Sequence, residues 1–144
     1  MPLYLWVDVA KIESAVQNLL SNAFKYTSQN GRIELAVSEA EIDGRPYCLV
    51  TVSDNGVGIP DDLQQHVFDS FVTGKRIPQY STSIGLGLHI VKHTMGLHHG
   101  FVTLTSRVGE GSRFVLHIPM GLSHFAPGEY EMVPDPMKGD LLEE

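Results

Sequence analysis

A second cysteine is missing. Cys48 stands alone among 144 residues, so no disulfide can form within the chain, and stability must come from burial. Cys48 lies in an alternating run over 47–52 and reads as a small buried hydrophobe, which suits a reducing compartment. Long apolar runs are missing as well. No stretch approaches the ~20 residues that span a bilayer, and no basic, apolar and small-residue leader opens the chain. Positive charge is scarce: 10 Lys and Arg stand against 17 Asp and Glu, a formal charge of -7. That balance excludes a nucleic-acid surface, and a polyanionic ligand cannot be drawn in by net charge. Local cations must do that work.

What remains is 42% apolar and 19% charged, the composition of one soluble globular domain with a sizeable core. Residues 3–7 read as a short strand. Asp8 then offers an N-cap to a helix ending near Tyr26. Two β-rich runs, 32–40 and 46–53, flank Asp43-Gly44, a dipeptide suited to the positive φ angles of a tight antiparallel hairpin. Pro60-Asp61-Asp62 starts a short helix to about Val67. Residues 72–83 hold Gly74, Pro78 and two basic residues without periodicity and read as a mobile loop. A helical pattern returns over 84–97, and 101–107 and 112–118 form a second hairpin around Gly109-Glu110-Gly111. Helices and antiparallel pairs in separate runs imply an α+β two-layer sandwich. The domain is expected over 1–120. Residues 121–144, with Pro127, Pro134 and Pro136 and an acidic end, are expected to be a linker or tail. Because the chain starts almost directly on a strand-like run, it is expected to be a piece of a longer protein.

The most informative local feature is a pair of asparagines in the first helix. Asn18 and Asn22 are one turn apart and share a face, with Lys25 and Tyr26 three and four residues beyond Asn22. Ile12, Val16, Leu19, Leu20 and Ala23 are expected on the opposite stripe. Amides on an amphipathic helix suggest a polar ligand. Downstream, Asp54-Asn55-Gly56-Val57-Gly58-Ile59 closes a β-rich run, and Gly85-Leu86-Gly87-Leu88 opens the later helical one. His89 and His93 also lie i, i+4, as zinc ligands do, but no third ligand follows at a recognisable spacing. His98-His99-Gly100 reads as a helix end.

Residues 18–27, 54–59, 68–71 and 85–88, in this order, resemble the asparagine, first glycine, phenylalanine and second glycine boxes in the ATP-binding catalytic domain of sensor histidine kinases. That group shares its fold with DNA gyrase. The resemblance covers about 3–119 and implies a sheet, mixed but mostly antiparallel, packed on about three helices with a mobile lid. It implies Mg-ATP as ligand, with Asn22 as the metal ligand, Asn18 holding a water of that metal, and Lys25 on a phosphate. Tyr26 would cover the base. Asp54 would accept a hydrogen bond from the adenine amine, which discriminates against the guanine carbonyl. Gly56 and Gly58 would let the backbone pass close under base and sugar. Gly85 and Gly87, with Leu86 and Leu88, would offer free helix N–H groups to the phosphates. Ile59 and Ser112 complete the implied contact set.

Lys75 and Arg76 in the lid would meet the γ-phosphate, while Phe68 and Phe71 anchor the lid base. Ser83 replaces a glycine usual in the family, a departure that bears on the lid hinge. In the gyrase-like ATPases an acid stands where Asn18 is, and an amide cannot serve as that general base. The expected chemistry is therefore phosphoryl transfer to a histidine on a separate dimerisation domain, then to a response regulator or fused receiver domain. None of the chain's own histidines has the acceptor's context. The expected setting is cytoplasmic, with no nucleic acid and no direct membrane contact. A non-catalytic nucleotide-binding module and a related protein serine kinase remain as alternatives.

Overall fold

The structure, a computed structural model, describes residues 3–69 and 84–131. Its first helix, α1, spans Val9–Tyr26, and Asp8 caps it by accepting a hydrogen bond from the Lys11 amide at 3.1 Å. The hairpin β1 (Ile33–Ile42) and β2 (Arg45–Asp54) follows, with Asp43 and Gly44 at φ 52° and 77°, as that dipeptide demands. Next come a short α2 (Asp61–Gln64), α3 (Ile84–Leu97), and the hairpin β3 (Phe101–Arg107) and β4 (Gly111–Pro119). The four described strands form one sheet in the order β1-β2-β4-β3, and all three pairings are antiparallel.

Strand periodicity builds the core. Cys48, Val50 and Val52 on β2 and Phe114, Leu116 and Ile118 on β4 are alternate residues, so they point to one side of the sheet and are buried there. Ala15, Leu19 and Ala23 of α1 and Leu88, Val91 and Met95 of α3 close over them. This is the two-layer α/β sandwich expected. Burial of Cys48 raises its thiol pKa, with the Glu39 charge adding to the effect. The thiolate is disfavoured, so the residue behaves as a hydrophobe.

Three local expectations need correction. Residues 3–7 have no strand pairing; Leu3, Leu5 and Val7 do pack against the core, so the alternation reports side-chain burial without a backbone partner. Helix α2 stops at Gln64, not near Val67, and Pro60 occupies its N-cap. The Gln64 side-chain Nε2 donates to the carbonyls of Ile59 and Ser106, at 2.6 and 3.0 Å. On α1, Asn18 and Asn22 are partly buried beside the apolar stripe rather than opposite it.

The end of α3 forms a cap that the sequence placed correctly. His99 adopts φ 59°, its amide donates to the Gly96 carbonyl, and the Gly100 amide reaches back to Met95, the double closure of a Schellman motif. His98 is buried. It accepts from the Asp8 amide at 2.9 Å and pairs with the Thr94 carbonyl at 2.8 Å. His98 therefore ties the start of α1 to the end of α3. Beyond the expected boundary at 120, the first residues of the tail also lie against the domain. Tyr130 meets Trp6 edge-on at 6.2 Å, and Glu129 pairs with His99 at 3.0 Å.

Candidate functional site

A cleft opens where the C-terminal half of α1 faces the ends of β2 and β4. Asn22, Tyr26, Asp54, Gly58, Ile59, Ser112 and Phe114 line it. Six of these were expected from sequence, and the fold brings them together from segments far apart in the chain. Phe114 was missed. Its alternation in β4 marked it as core, and nothing local showed that its ring also faces a cleft. Phe68 packs edge-on against it at 6.1 Å, which gives the phenylalanine box its structural role.

Asp54 ends β2 and pairs in register with Ser112. Its Oδ1 accepts from the Gly56 amide at 2.9 Å. Burial raises the Asp54 pKa, outweighing the lowering by hydrogen bonds from the Gly56 and Ser112 amides and the Thr27 hydroxyl. Thr27, which ends the asparagine box directly after Tyr26, lies close to the acid. A partly buried carboxylate whose charge is penalised by burial would be favoured by a ligand amine that donates to it.

Asn22 presents a complementary feature. Among the described residues its Nδ2 is buried without a hydrogen-bond partner, a state that a ligand or water at the site would relieve. One turn earlier, Asn18 lies against α3. A Cβ built on Gly87 would stand 3.5 Å from Asn18 Oδ1, so the absence of a side chain at Gly87 leaves a gap beside that amide. Gly85 and Leu86 also belong to the first turn of α3. The Leu88 side chain is wholly buried in the core, which leaves its backbone N–H as the group expected at a phosphate. Lys25 is exposed on the last turn of α1. Lys75, Arg76, Phe71 and Ser83 lie outside the described residues.

The two glycines after Asp54 also lie against the protein's own backbone. A Cβ on Gly56 would overlap the Tyr26 carbonyl oxygen, and one on Gly58 the Arg107 carbonyl oxygen. Ile59 is buried, and its amide donates to Ser106 Oγ at 2.8 Å. Ser106 Oγ also lies 2.8 Å from Ser112 Oγ. Ile59 and Ser112 therefore shape the cleft wall through a hydroxyl relay. Among the described residues no cluster of three or more His, Cys, Asp or Glu could hold a metal. Any ion here would have to rely on an amide oxygen such as that of Asn22 and on oxygens of the ligand.

Gly87 offers a clean separation of fold from binding. In Gly87→Ala the new methyl meets Asn18 at ordinary contact distance, and Ala favours a helix over Gly by ~1 kcal/mol. We expect an unchanged or raised melting temperature with weaker nucleotide binding in calorimetry. A drop in stability would assign Gly87 to packing alone.

Comparison with known proteins accords with this geometry. Residues 7–122 match the family described as histidine kinase-, DNA gyrase B-, and HSP90-like ATPase. The sensor histidine kinase TmoS of Ectopseudomonas mendocina is 38% identical over 115 residues, which are 79% of this chain and 12% of that protein. RppB of Synechocystis, also a sensor histidine kinase, is 33% identical over 119 residues, 82% of this chain and 25% of RppB. Among solved structures, the catalytic domain of histidine kinase ThkA superposes with a TM-score of 0.65 at 29% identity, covering 79% of this chain and 70% of that one. The mycobacterial sensor histidine kinase MprB gives 0.63 at 27%, covering 81% and 76%.

Proposed function

Since the chain belongs to the histidine kinase-, DNA gyrase B-, and HSP90-like ATPase family, we propose that it is the ATP-binding catalytic portion of a sensor histidine kinase. In this reading it holds Mg-ATP in the α1, β2 and β4 cleft and presents the γ-phosphoryl group to a histidine on a separate dimerisation domain. The observation that carries it is the pairing in one cleft of a desolvated Asp54 with an unsatisfied Asn22 amide. The first takes the adenine amine. The second stands one helical turn from Asn18, which lies against Gly87 near the start of α3, where phosphates would meet free N–H groups.

Magnesium fits this donor set because it takes oxygen ligands, keeps several waters and is usually shared with substrate phosphates. Asn22 would supply the protein ligand and Asn18 would orient a metal-bound water. The bound ion would neutralise charge on the triphosphate. Lys25 and, from the lid, Lys75 and Arg76 would add cations that the acidic chain otherwise lacks. Catalysis is then positioning and charge neutralisation for an in-line transfer. With an amide at position 18, no residue of the asparagine face can deprotonate water, which favours a histidine acceptor over hydrolysis.

The acceptor is sought elsewhere because His98, the one buried histidine facing α1, is engaged at both ring nitrogens. The curated relatives support this division of labour, as the chain spans only 12% and 25% of TmoS and RppB. Further transfer would run to a response regulator or a fused receiver domain, in a cytoplasmic setting. No described helix is long and apolar enough to cross a membrane.

Incubation with labelled Mg-ATP tests the proposal. The isolated chain should acquire no phosphohistidine and release little phosphate, and the parent protein's own His-bearing domain added in trans should become labelled slowly, since mixing cannot match the effective concentration of a covalent link. Rapid phosphate release by the chain alone would favour an ATPase of the gyrase kind.

A further inference from the structure

At the far end of β2 from Asp54, the sheet ends in a second cavity of about 360 Å³. Nine residues of strand at ~3.3 Å each separate the two sites by roughly 30 Å. Arg45 and Tyr47 of β2, the helix-capping His99, and Ser123 and His124 from the turn after β4 supply its polar lining. The Met120 amide, donating to the Pro46 carbonyl at 3.0 Å, fixes that turn against the hairpin. Pro46, Pro119 and Met120 supply apolar wall.

The polar groups here are an arginine, two histidines and two hydroxyls. Arg32 and Arg107 each hold a glutamate, at 3.0 and 3.7 Å, whereas Arg45, like Arg113, has no carboxylate within 4.0 Å among the described residues. His124 is partly buried, and its Nε2 is sealed from solvent without a partner. Its pKa is lowered first by burial, then by the positive fields of His99, His98 and Arg45, with Glu129 opposing. Glu129 is already engaged by His99 at 3.0 Å and by the Ala126 amide at 2.6 Å. In a chain of net charge -7, an unneutralised arginine and a donor-rich wall facing one cavity run against the general trend.

We propose that this cavity binds a small organic anion, its oxyanion head held by the Arg45 guanidinium with the Ser123 and Tyr47 hydroxyls and the His124 ring, and its apolar stem against Pro46, Pro119 and Met120. The size favours an organic stem over a bare inorganic ion, since about 360 Å³ lies within the range of small-molecule pockets, roughly 300–1,000 Å³. An arriving anion adds an attraction for a charged His124 that opposes the fields of His99 and Arg45, so binding is expected to strengthen as pH falls below neutral. The proposal is independent of the nucleotide site.

The test uses the chain as it stands, isotopically labelled and followed by amide NMR. Benzoate is the probe, benzyl alcohol its neutral counterpart and inorganic phosphate the stemless anion. Benzoate should give saturable shifts at Arg45, Tyr47, Ser123 and His124, at least about tenfold tighter than benzyl alcohol, the loss expected for one charge-assisted hydrogen bond. Arg45→Gln should weaken benzoate about tenfold without lowering the melting temperature, because Arg45 is exposed. Lowering pH from 7.5 to 6 should tighten benzoate binding. Non-saturating shifts, equal affinity for the alcohol, or an indifferent Arg45→Gln would overturn the site. Phosphate binding as tightly as benzoate would overturn the role of the apolar wall.

Discussion

Asp54→Asn is expected to reduce affinity for an ATP analogue by roughly 10–100-fold, the worth of a hydrogen bond to a charged group, while leaving the empty domain at least as stable. The Gly56 amide fixes the outcome. It donates to Asp54 Oδ1, so an asparagine must keep its oxygen there and turn its NH₂ towards the adenine amine, donor against donor. The stability half follows from linkage. The folded pKa of Asp54 is raised above its ordinary 3.8, so the folded state holds its proton more firmly than the unfolded chain. Stability tied to this group is therefore full below pH 3.8 and is lost as pH rises through the folded value. At neutral pH the bare carboxylate is a cost that the amide removes. Calorimetry and thermal melts on the same variant decide both halves; unchanged affinity would remove Asp54 from the site.

Gly58→Ala should act on the fold instead. Gly58 sits at φ 72°, and an added Cβ would overlap the Arg107 carbonyl. The left-handed backbone alone disfavours Ala by ~1–2 kcal/mol. The loop cannot slide away, because Val57 accepts from the Gly109 amide at 2.9 Å and the Ile59 amide is held by Ser106. A total loss of about 3 kcal/mol or more would lower the melting temperature by roughly 10 °C in a domain of this size. If Gly58→Ala melted normally yet failed to bind nucleotide, the glycine would belong to the ligand after all.

Much of this was legible in the sequence for identifiable reasons. The Asp43-Gly44 turn, the Asp8 cap and the limits of α3 depend on chemistry within a few residues, and each was placed correctly. Asn22, Tyr26 and Asp54 were named because amides and acids stand out on otherwise packed elements. What local patterns could not show depended on distant backbone. No sequence pattern shows the carbonyls of Tyr26 and Arg107 passing beneath Gly56 and Gly58, or that the Leu88 side chain belongs to the core. Phe114 was missed because its place in the cleft comes from α1 and β4 meeting β2. The tail's contacts through Tyr130 and Glu129 were hidden by a composition that suggested a linker.

If Asp54 reads adenine at the foot of this cleft, calorimetric titration of the wild-type chain in the presence of Mg²⁺ should show saturable binding of a non-hydrolysable ATP analogue. With a carboxylate facing the guanine carbonyl, affinity for the matching GTP analogue should be lower by roughly 100-fold or more. Equal affinities for the two would remove Asp54 from base recognition.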